Sequence, residues 1–173
     1  YQLHVARLHH LEQGECIAAM EKLQHQGKIR YWGLSLNTFN PAPEAEFLLQ
    51  AAKGSGFQLV LNLINQLALP IVQQAATAGL GIIARMPLQF GLLSGKFRPD
   101  NVFQQGDHRA GRLTRAIIEQ TTDILRAEMV PLARQYNTHL AGLALSFVLA
   151  TPGVSTVIPG IRTPQQVQRN TEG

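Results

Sequence analysis

The sequence is short of several things, and each shortage excludes something. It has one cysteine, Cys16, so neither an internal disulfide framework nor a cysteine-rich zinc site can form. A reducing, cytoplasmic setting is the natural expectation. No run of about 18 apolar residues occurs, which excludes a membrane-spanning helix. The chain opens directly on a strand-like segment, YQLH, with no basic-then-apolar leader. Charged residues make up only 15% of the chain, against roughly 25% in an average domain. Much of the chain is therefore expected to be buried. Aromatics are 6% and do not interleave with the basic residues, as a base-stacking platform would need. No GxGxxG follows any apolar run, which weakens a dinucleotide-binding open sheet.

What is present fits a globular protein. The chain has 173 residues, 45% of them hydrophobic, so residues 1–173 read as a single domain. Formal charge is +4, from 15 Lys+Arg against 11 Asp+Glu. Arg85, Lys96, Arg98, Arg109, Arg112 and Arg115 crowd one segment, opposed only by Asp100 and Asp107. Two readings fit this segment: a solvated loop, or a loop that folds over a phosphate-bearing ligand.

Along the chain, short Val-, Ile- and Leu-rich runs alternate with helical patterns. YQLHV is the first run. Cys16, Ala19, Met20 and Leu23 then recur at helical spacing, with Gly27 as a stop. Arg30–Leu36 reads as a strand. Pro43, with Glu44 and Glu46, starts a helix whose face is Ala45, Leu48, Leu49 and Ala52. Phe57–Asn65 is a third strand, and Ile71, Ala75 and Ala78 mark a short helix. Leu80–Ala84 is a fourth strand, followed by a loop running to about Arg115. Loops of that length are usually functional. Ile118, Leu125, Met129, Leu132 and Tyr136 predict a longer helix kinked or broken at Pro131. Thr138 is expected to cap the next helix, with Leu140, Leu143, Ala144 and Phe147 as its face. Ser155–Pro159 is the last strand. Thr163, Pro164 and Gln166 open a final helix with capping-box spacing.

Strands that read as apolar on both faces predict a parallel sheet covered by helices. Two architectures fit: a doubly wound open sheet and a (β/α)8 barrel. Five strand–helix units are present, where a closed barrel has eight and typically about 250 residues. The expected fold class is α/β, a partial (β/α)8 TIM barrel of about the last five βα units. In such barrels the working residues sit at the C-terminal strand ends. Here those ends deliver His4, Ser35, Asn65 with Gln66, Arg85, and Pro159 with Gly160. That convergence points to a ligand site without naming a reaction.

Five segments carry a resemblance: YQLH, GKIRYWGLSLNTF, NLINQ, ARMPLQFGLLSGKF and STVIPGIRTPQQVQRN. Together, in order and spacing, they are similar to consecutive blocks of the aldo-keto reductase family. The resemblance implies a (β/α)8 barrel of which this chain is the C-terminal portion. It implies an NADP(H)-dependent oxidoreductase that reduces aldehydes or ketones to alcohols by hydride transfer. His4 matches the histidine of the catalytic tetrad, which orients or polarises a carbonyl; a neutral imidazole can donate a hydrogen bond to a developing oxyanion. Ser35 and Gln66 match positions that bind the nicotinamide carboxamide, although Leu36 stands where an asparagine often follows the serine. Arg85 matches a position that stacks on the nicotinamide ring. Pro87, Leu88 and Lys96 match the loop around the pyrophosphate, with Arg98 and Arg109 as assistants. Gly160, Arg162, Gln166 and Asn170 match the segment that holds the 2′-phosphate and adenine. Gly160 replaces a lysine seen in some members, so NAD(H) stands as the alternative cofactor.

The tetrad's Asp, Tyr and Lys match no residue of this chain; Tyr1, Tyr31 and Tyr136 do not fit the acid position. The isolated chain is therefore expected to be inactive. The expected partner is a small-molecule carbonyl substrate, with no metal, nucleic acid or membrane. The alternative function is a non-catalytic nicotinamide-nucleotide-binding regulatory subunit on the same fold. A different βα barrel binding a phosphorylated metabolite is the third reading.

Overall fold

The computed structural model describes residues 1–172. In chain order they form β1 (Gln2–His4), α1 (Leu8–Gln13), α2 (Glu15–His25), β2 (Gly33–Ser35) and α3 (Ala42–Gln50). Next come β3 (Gly56–Val60), α4 (Leu69–Thr77) and β4 (Gly81–Arg85). After a long connection follow α5 (Arg115–Ile124), α6 (Val130–Gln135), α7 (Leu140–Leu149), β5 (Thr156–Ile158) and α8 (Pro164–Thr171).

The strands form one parallel sheet in the order β1-β2-β3-β4-β5. A doubly wound sheet reverses its order at a switch point, and this one does not. Sequential order with helical crossovers is the order of a βα barrel. The described residues fall into two compact units: a sheet unit of Tyr1–Arg85 with Val148–Ile158, and a loop unit of Met86–Phe147 with residues 159 onward.

In the sheet unit the register decides what each face carries. His4 pairs with Ser35, Ser35 with Gln58, Gln58 with Ile83, and Ile83 with Thr156. Registered residues of parallel strands share a face. One face therefore holds His4, Ser35, Gln58 and, two residues further along β4, Arg85. The other holds Leu34, Phe57, Leu59, Ile82 and Ala84, all essentially inaccessible to water. Full burial of a side chain such as Phe57 contributes about 1.5–3 kcal/mol. The strands are thus apolar on one face, not on both as their short runs suggested. The second face mixes polar side chains, a few aliphatic ones and glycines. A Cβ on Gly33 would lie 2.3 Å from the Gly56 carbonyl, and one on Gly56 2.2 Å from that of Gly81. The strands approach too closely there for any side chain.

The loop unit has its own small core of Leu92, Phe97, Leu113 and Ile118, with Phe90 and Phe103 against it. Thr114 caps α5 by accepting the Ile117 N–H at 3.4 Å. The break expected at Pro131 is a widened turn over Leu125–Met129, where the Val130 N–H reaches the Leu125 carbonyl. A π-turn just before a proline removes the clash its ring would make in a regular helix.

Several sequence expectations are corrected. Helix α1 was not expected. The strand expected over Arg30–Leu36 contracts to β2, leaving Tyr31 exposed. The buried stripe of α2 centres on Ile17 and Met20, while Ala19 is exposed. That of α7 is Ala141, Ala144, Leu145 and Val148, rotated from the expected face; a helix apolar all round gives periodicity nothing to choose by. Thr138 does not cap α7. The Gly142 N–H donates to His139 Nδ1 at 2.8 Å instead.

Candidate functional site

At the C-terminal end of the sheet, three sequence-predicted residues occupy strand termini. His4 ends β1 and is exposed, Ser35 ends β2 and is buried, and Arg85 ends β4 half-buried. The Ser35 hydroxyl has no hydrogen-bond partner among the described residues. A buried hydroxyl without a partner calls for one from outside the chain. A carboxamide, with both donor and acceptor, fits that need. Arg85 Nη2 donates to the Leu36 carbonyl at 3.2 Å and to Thr38 Oγ1 at 3.1 Å. Burial pushes its guanidinium below the usual arginine value.

Gln66 follows β3 rather than ending it. Strand β3 stops at Val60 rather than Asn65, because Asn62 builds a turn. Its side-chain oxygen accepts the N–H groups of Ile64 (3.1 Å) and Asn65 (2.9 Å). Gln66 is exposed in the following loop, and its Nε2 donates to the Leu63 carbonyl at 2.9 Å. The carboxamide side chain registered beside Ser35 is Gln58, which sequence reading passed over. The signal was available: a glutamine inside an apolar strand, two residues after its glycine, shares that glycine's face.

In the loop unit the chain turns sharply after β4. Met86, Gln89 and Phe90 have φ of 57°, 43° and 58°, and Gly91 has 93°. Left-handed backbone at three non-glycine residues is strained, and such strain clusters at functional segments. Pro87 is buried and Leu88 half-buried; the Leu88 carbonyl accepts the Gly91 N–H at 2.8 Å. A Cβ on Gly91 would lie 2.7 Å from Lys96 Nζ, so glycine is what lets the Lys96 side chain fold against the turn. Lys96 Nζ also sits 5.0 Å from the Phe97 ring centroid. No carboxylate pairs with it among the described residues. Burial, then the charges of Arg109 and Arg162, push its ammonium below the usual lysine value. Lys96 thus lies in the field of Arg109 and Arg162, whereas Arg98 contributes only a loop contact through its backbone N–H to Asn101.

Thr163 caps α8 by accepting the Gln166 N–H at 3.3 Å, and the Gln166 side-chain oxygen accepts the Arg162 N–H. Asn170 Nδ2 is shut off from water with no partner among the described residues. Gly160 has open space around it. A hollow at the start of α8 is lined by Ile161, Arg162, Thr163, Pro164, Val167 and Gln168. Among the described residues no three His, Cys, Asp or Glu side chains converge as metal ligands. None of their helices is long and apolar enough to cross a membrane.

The sequential parallel sheet is shared with known proteins. The sequence profile of the Aldo/keto reductase family matches residues 1–172. The chain belongs to the aldo/keto reductase family. An aldo-keto reductase of Babesia bovis is 30% identical over 168 residues, covering 88% of this chain and 57% of that protein. The Escherichia coli protein tas is 28% identical over 172 residues, covering 91% of this chain and 47% of that protein. A probable voltage-gated potassium channel subunit beta of Oryza sativa is 25% identical, covering 90% of this chain and 50% of that protein. The glycerol dehydrogenase of Gluconobacter oxydans superposes with a TM-score of 0.75 at 24% identity, covering 99% of this chain and 52% of that one. An aldo-keto reductase of Bacillus halodurans, solved in apo and holo forms, gives 0.73 at 24%, with 54% and 53% of its chain covered. These two likenesses concern the fold. The chain spans about half the length of the relatives it matches.

Proposed function

We propose that the chain serves an NADP(H)-dependent oxidoreductase that reduces aldehydes or ketones to alcohols. The observation that carries this reading is Lys96, an ammonium without a carboxylate, tucked against Gly91 in the field of Arg109 and Arg162. A lysine ammonium with no carboxylate of its own, held near other cations, favours an anion, and a phosphorylated cofactor supplies several such charges.

On this reading residues 1–173 form the C-terminal portion of one cytoplasmic barrel domain. Lys96, with Pro87 and Leu88 shaping its turn, holds the pyrophosphate. Arg162, Gly160, Gln166 and Asn170 hold the 2′-phosphate and adenine, with Arg162 favouring NADP(H) over NAD(H). Ser35 and Gln66 serve the carboxamide, and Arg85 lies along the nicotinamide. When bound, that cofactor supplies the hydride. His4 orients a small-molecule carbonyl by donating a hydrogen bond to its oxygen.

The proton needed at that oxygen has no donor matched in these 173 residues. Tyr1 and Tyr31 precede β1 and β2, at the ends away from His4 and Ser35, about 10–13 Å of extended chain away; Tyr136 is exposed in the loop unit. The 173-residue chain by itself is therefore proposed to bind cofactor without turnover. A second reading, a nicotinamide-nucleotide-binding regulatory subunit, draws on the resemblance to the potassium channel subunit.

The test is calorimetric titration of the full chain with NADPH and NADH. NADPH is expected to bind more tightly. Lys96→Ala is expected to weaken both about ten-fold, as loss of a charge-assisted contact does. Arg162→Ala should erase the preference between them. A folded chain that binds neither nucleotide overturns both readings.

A further inference from the structure

An acid stands inside the cationic cluster. Asp107 accepts from Arg109 Nε at 2.9 and 3.0 Å and from Nη2 at 2.5 Å. The Arg109 backbone N–H also donates to Asp107 Oδ1, at 2.9 Å. That backbone bond alone would clip the loop. The fork to Nε and Nη2 goes further and fixes the plane of the guanidinium.

Two rings complete the cage. Arg109 Cζ lies 5.9 Å from the Phe97 centroid and 5.2 Å from that of Phe103. The rings themselves meet edge to face, 5.5 Å apart. The Phe97 ring also carries Lys96. Arg109 and Lys96 thus both lie against the Phe97 ring. With Nε and Nη2 engaged by Asp107, Arg109 Nη1 has no partner among the described residues.

We propose that Asp107 is a positioning residue of the anion site: it locks Arg109 between Phe97 and Phe103 so that Nη1 and the Lys96 ammonium serve one phosphate group. This rests on the cofactor reading above and adds a residue to it. Asp107 acts through Arg109 and touches no ligand. Its presence lowers the local positive charge, so it works against long-range attraction while fixing geometry. A planar fork that is already oriented loses less freedom on binding than a free arginine side chain.

The two effects have opposite signs, and that makes the idea testable. Removing the carboxylate leaves the cluster more positive by one charge. If charge alone mattered, Asp107→Asn would tighten anion binding. If position matters, it weakens it. The full chain, its D107N and D107E variants, and two probes, inorganic pyrophosphate and NADPH, are compared by calorimetry. D107N is expected to weaken pyrophosphate about five- to ten-fold, the range of an oriented charge-assisted contact. D107E, which restores the fork, should return to within about two-fold of the parent. Unchanged or tightened binding in D107N overturns the proposal. If D107N fails to fold, R109K keeps the charge but loses the fork and the flat face; it should show the same weakening, and parental affinity in it overturns the proposal. Binding of pyrophosphate without NADPH overturns the cofactor reading alone, and Asp107 is then judged on pyrophosphate. A parent chain that binds neither overturns both.

Discussion

The sheet unit and the loop unit hold their functional side chains in different ways. In the sheet unit, position comes from the backbone. His4, Ser35 and Gln58 are fixed by strand register, and the strands are seated on a buried layer that includes Leu34, Phe57, Leu59 and Ile82. In the loop unit, position comes from side chains. Lys96 lies against Gly91 and a ring, and Arg109 is set by a carboxylate and two rings. A register cannot be altered without rebuilding the sheet. A ring-and-fork cage can be undone by one substitution while the fold around it persists. The regular unit therefore supplies rigidity, and the irregular one supplies adjustable affinity.

The sharpest way to break this contrast is a pair of truncations. Phe57→Ala removes a fully buried ring from the sheet layer and should cost about 3–5 kcal/mol of global stability. Phe97→Ala removes a ring from the small core of the loop unit. It should lower global stability less, speed amide exchange around residues 97–114 and weaken NADPH binding. Trp32, the single tryptophan, is buried in the sheet unit. Its fluorescence in urea melts reports that unit directly. Equal midpoint losses for both variants would mean that the two units unfold as one, and the contrast would collapse.

Legibility in the sequence followed the same division. The alternation of strands and helices, the parallel sheet and the strand-end placement of His4, Ser35 and Arg85 came from local periodicity and turn residues. The end of β3 did not, because Asn62 stops the strand through bonds to Ile64 and Asn65 that an apolar run conceals. Gln58 was hidden for a related reason: only register shows that it stands beside Ser35. In the loop unit, the basic crowding was visible, but not which cations meet. Lys96, Arg109 and Arg162 are separated by up to 66 positions in the chain, and no pattern of short period relates them. The Asp107–Arg109 contact is local, yet its role depends on Phe97 and Phe103, whose packing around Arg109 no short-range pattern carries.

Next in size is a pair of opposed pH effects. Lys96 is held below the usual lysine value by burial and by Arg109 and Arg162. Between that lowered value and the unfolded one, the unfolded chain binds more protons, so stability rises with pH there. Anion affinity moves the other way, falling as Lys96 loses its proton. Asp107 is held well below the usual carboxylate range by its side-chain and backbone hydrogen bonds with Arg109. Its contribution is present above the unfolded carboxylate value and is lost as pH falls toward the folded one. Titrating melting temperature and NADPH affinity together should show the alkaline divergence in the parent chain and its absence in Lys96→Met. Parallel curves in the parent would remove Lys96 from the anion site.

The smallest expected effect concerns the start of α7, in the loop unit. Thr138 has the residue type of an N-cap, yet its hydroxyl is buried without a partner. The Gly142 N–H goes to His139 Nδ1, and the Leu143 N–H to the His139 carbonyl at 2.9 Å. His139 thus occupies the cap, with its imidazole nitrogen accepting as a hydroxyl usually does. His139→Ala should cost about 1 kcal/mol, the usual value of a lost cap. Thr138→Val should cost less, because it removes a polar atom that bonds to nothing and keeps the shape. The reverse order in chemical melts would return the cap to Thr138. Residue type alone favours threonine here; the backbone, which puts His139 one position nearer the first turn, decides for histidine.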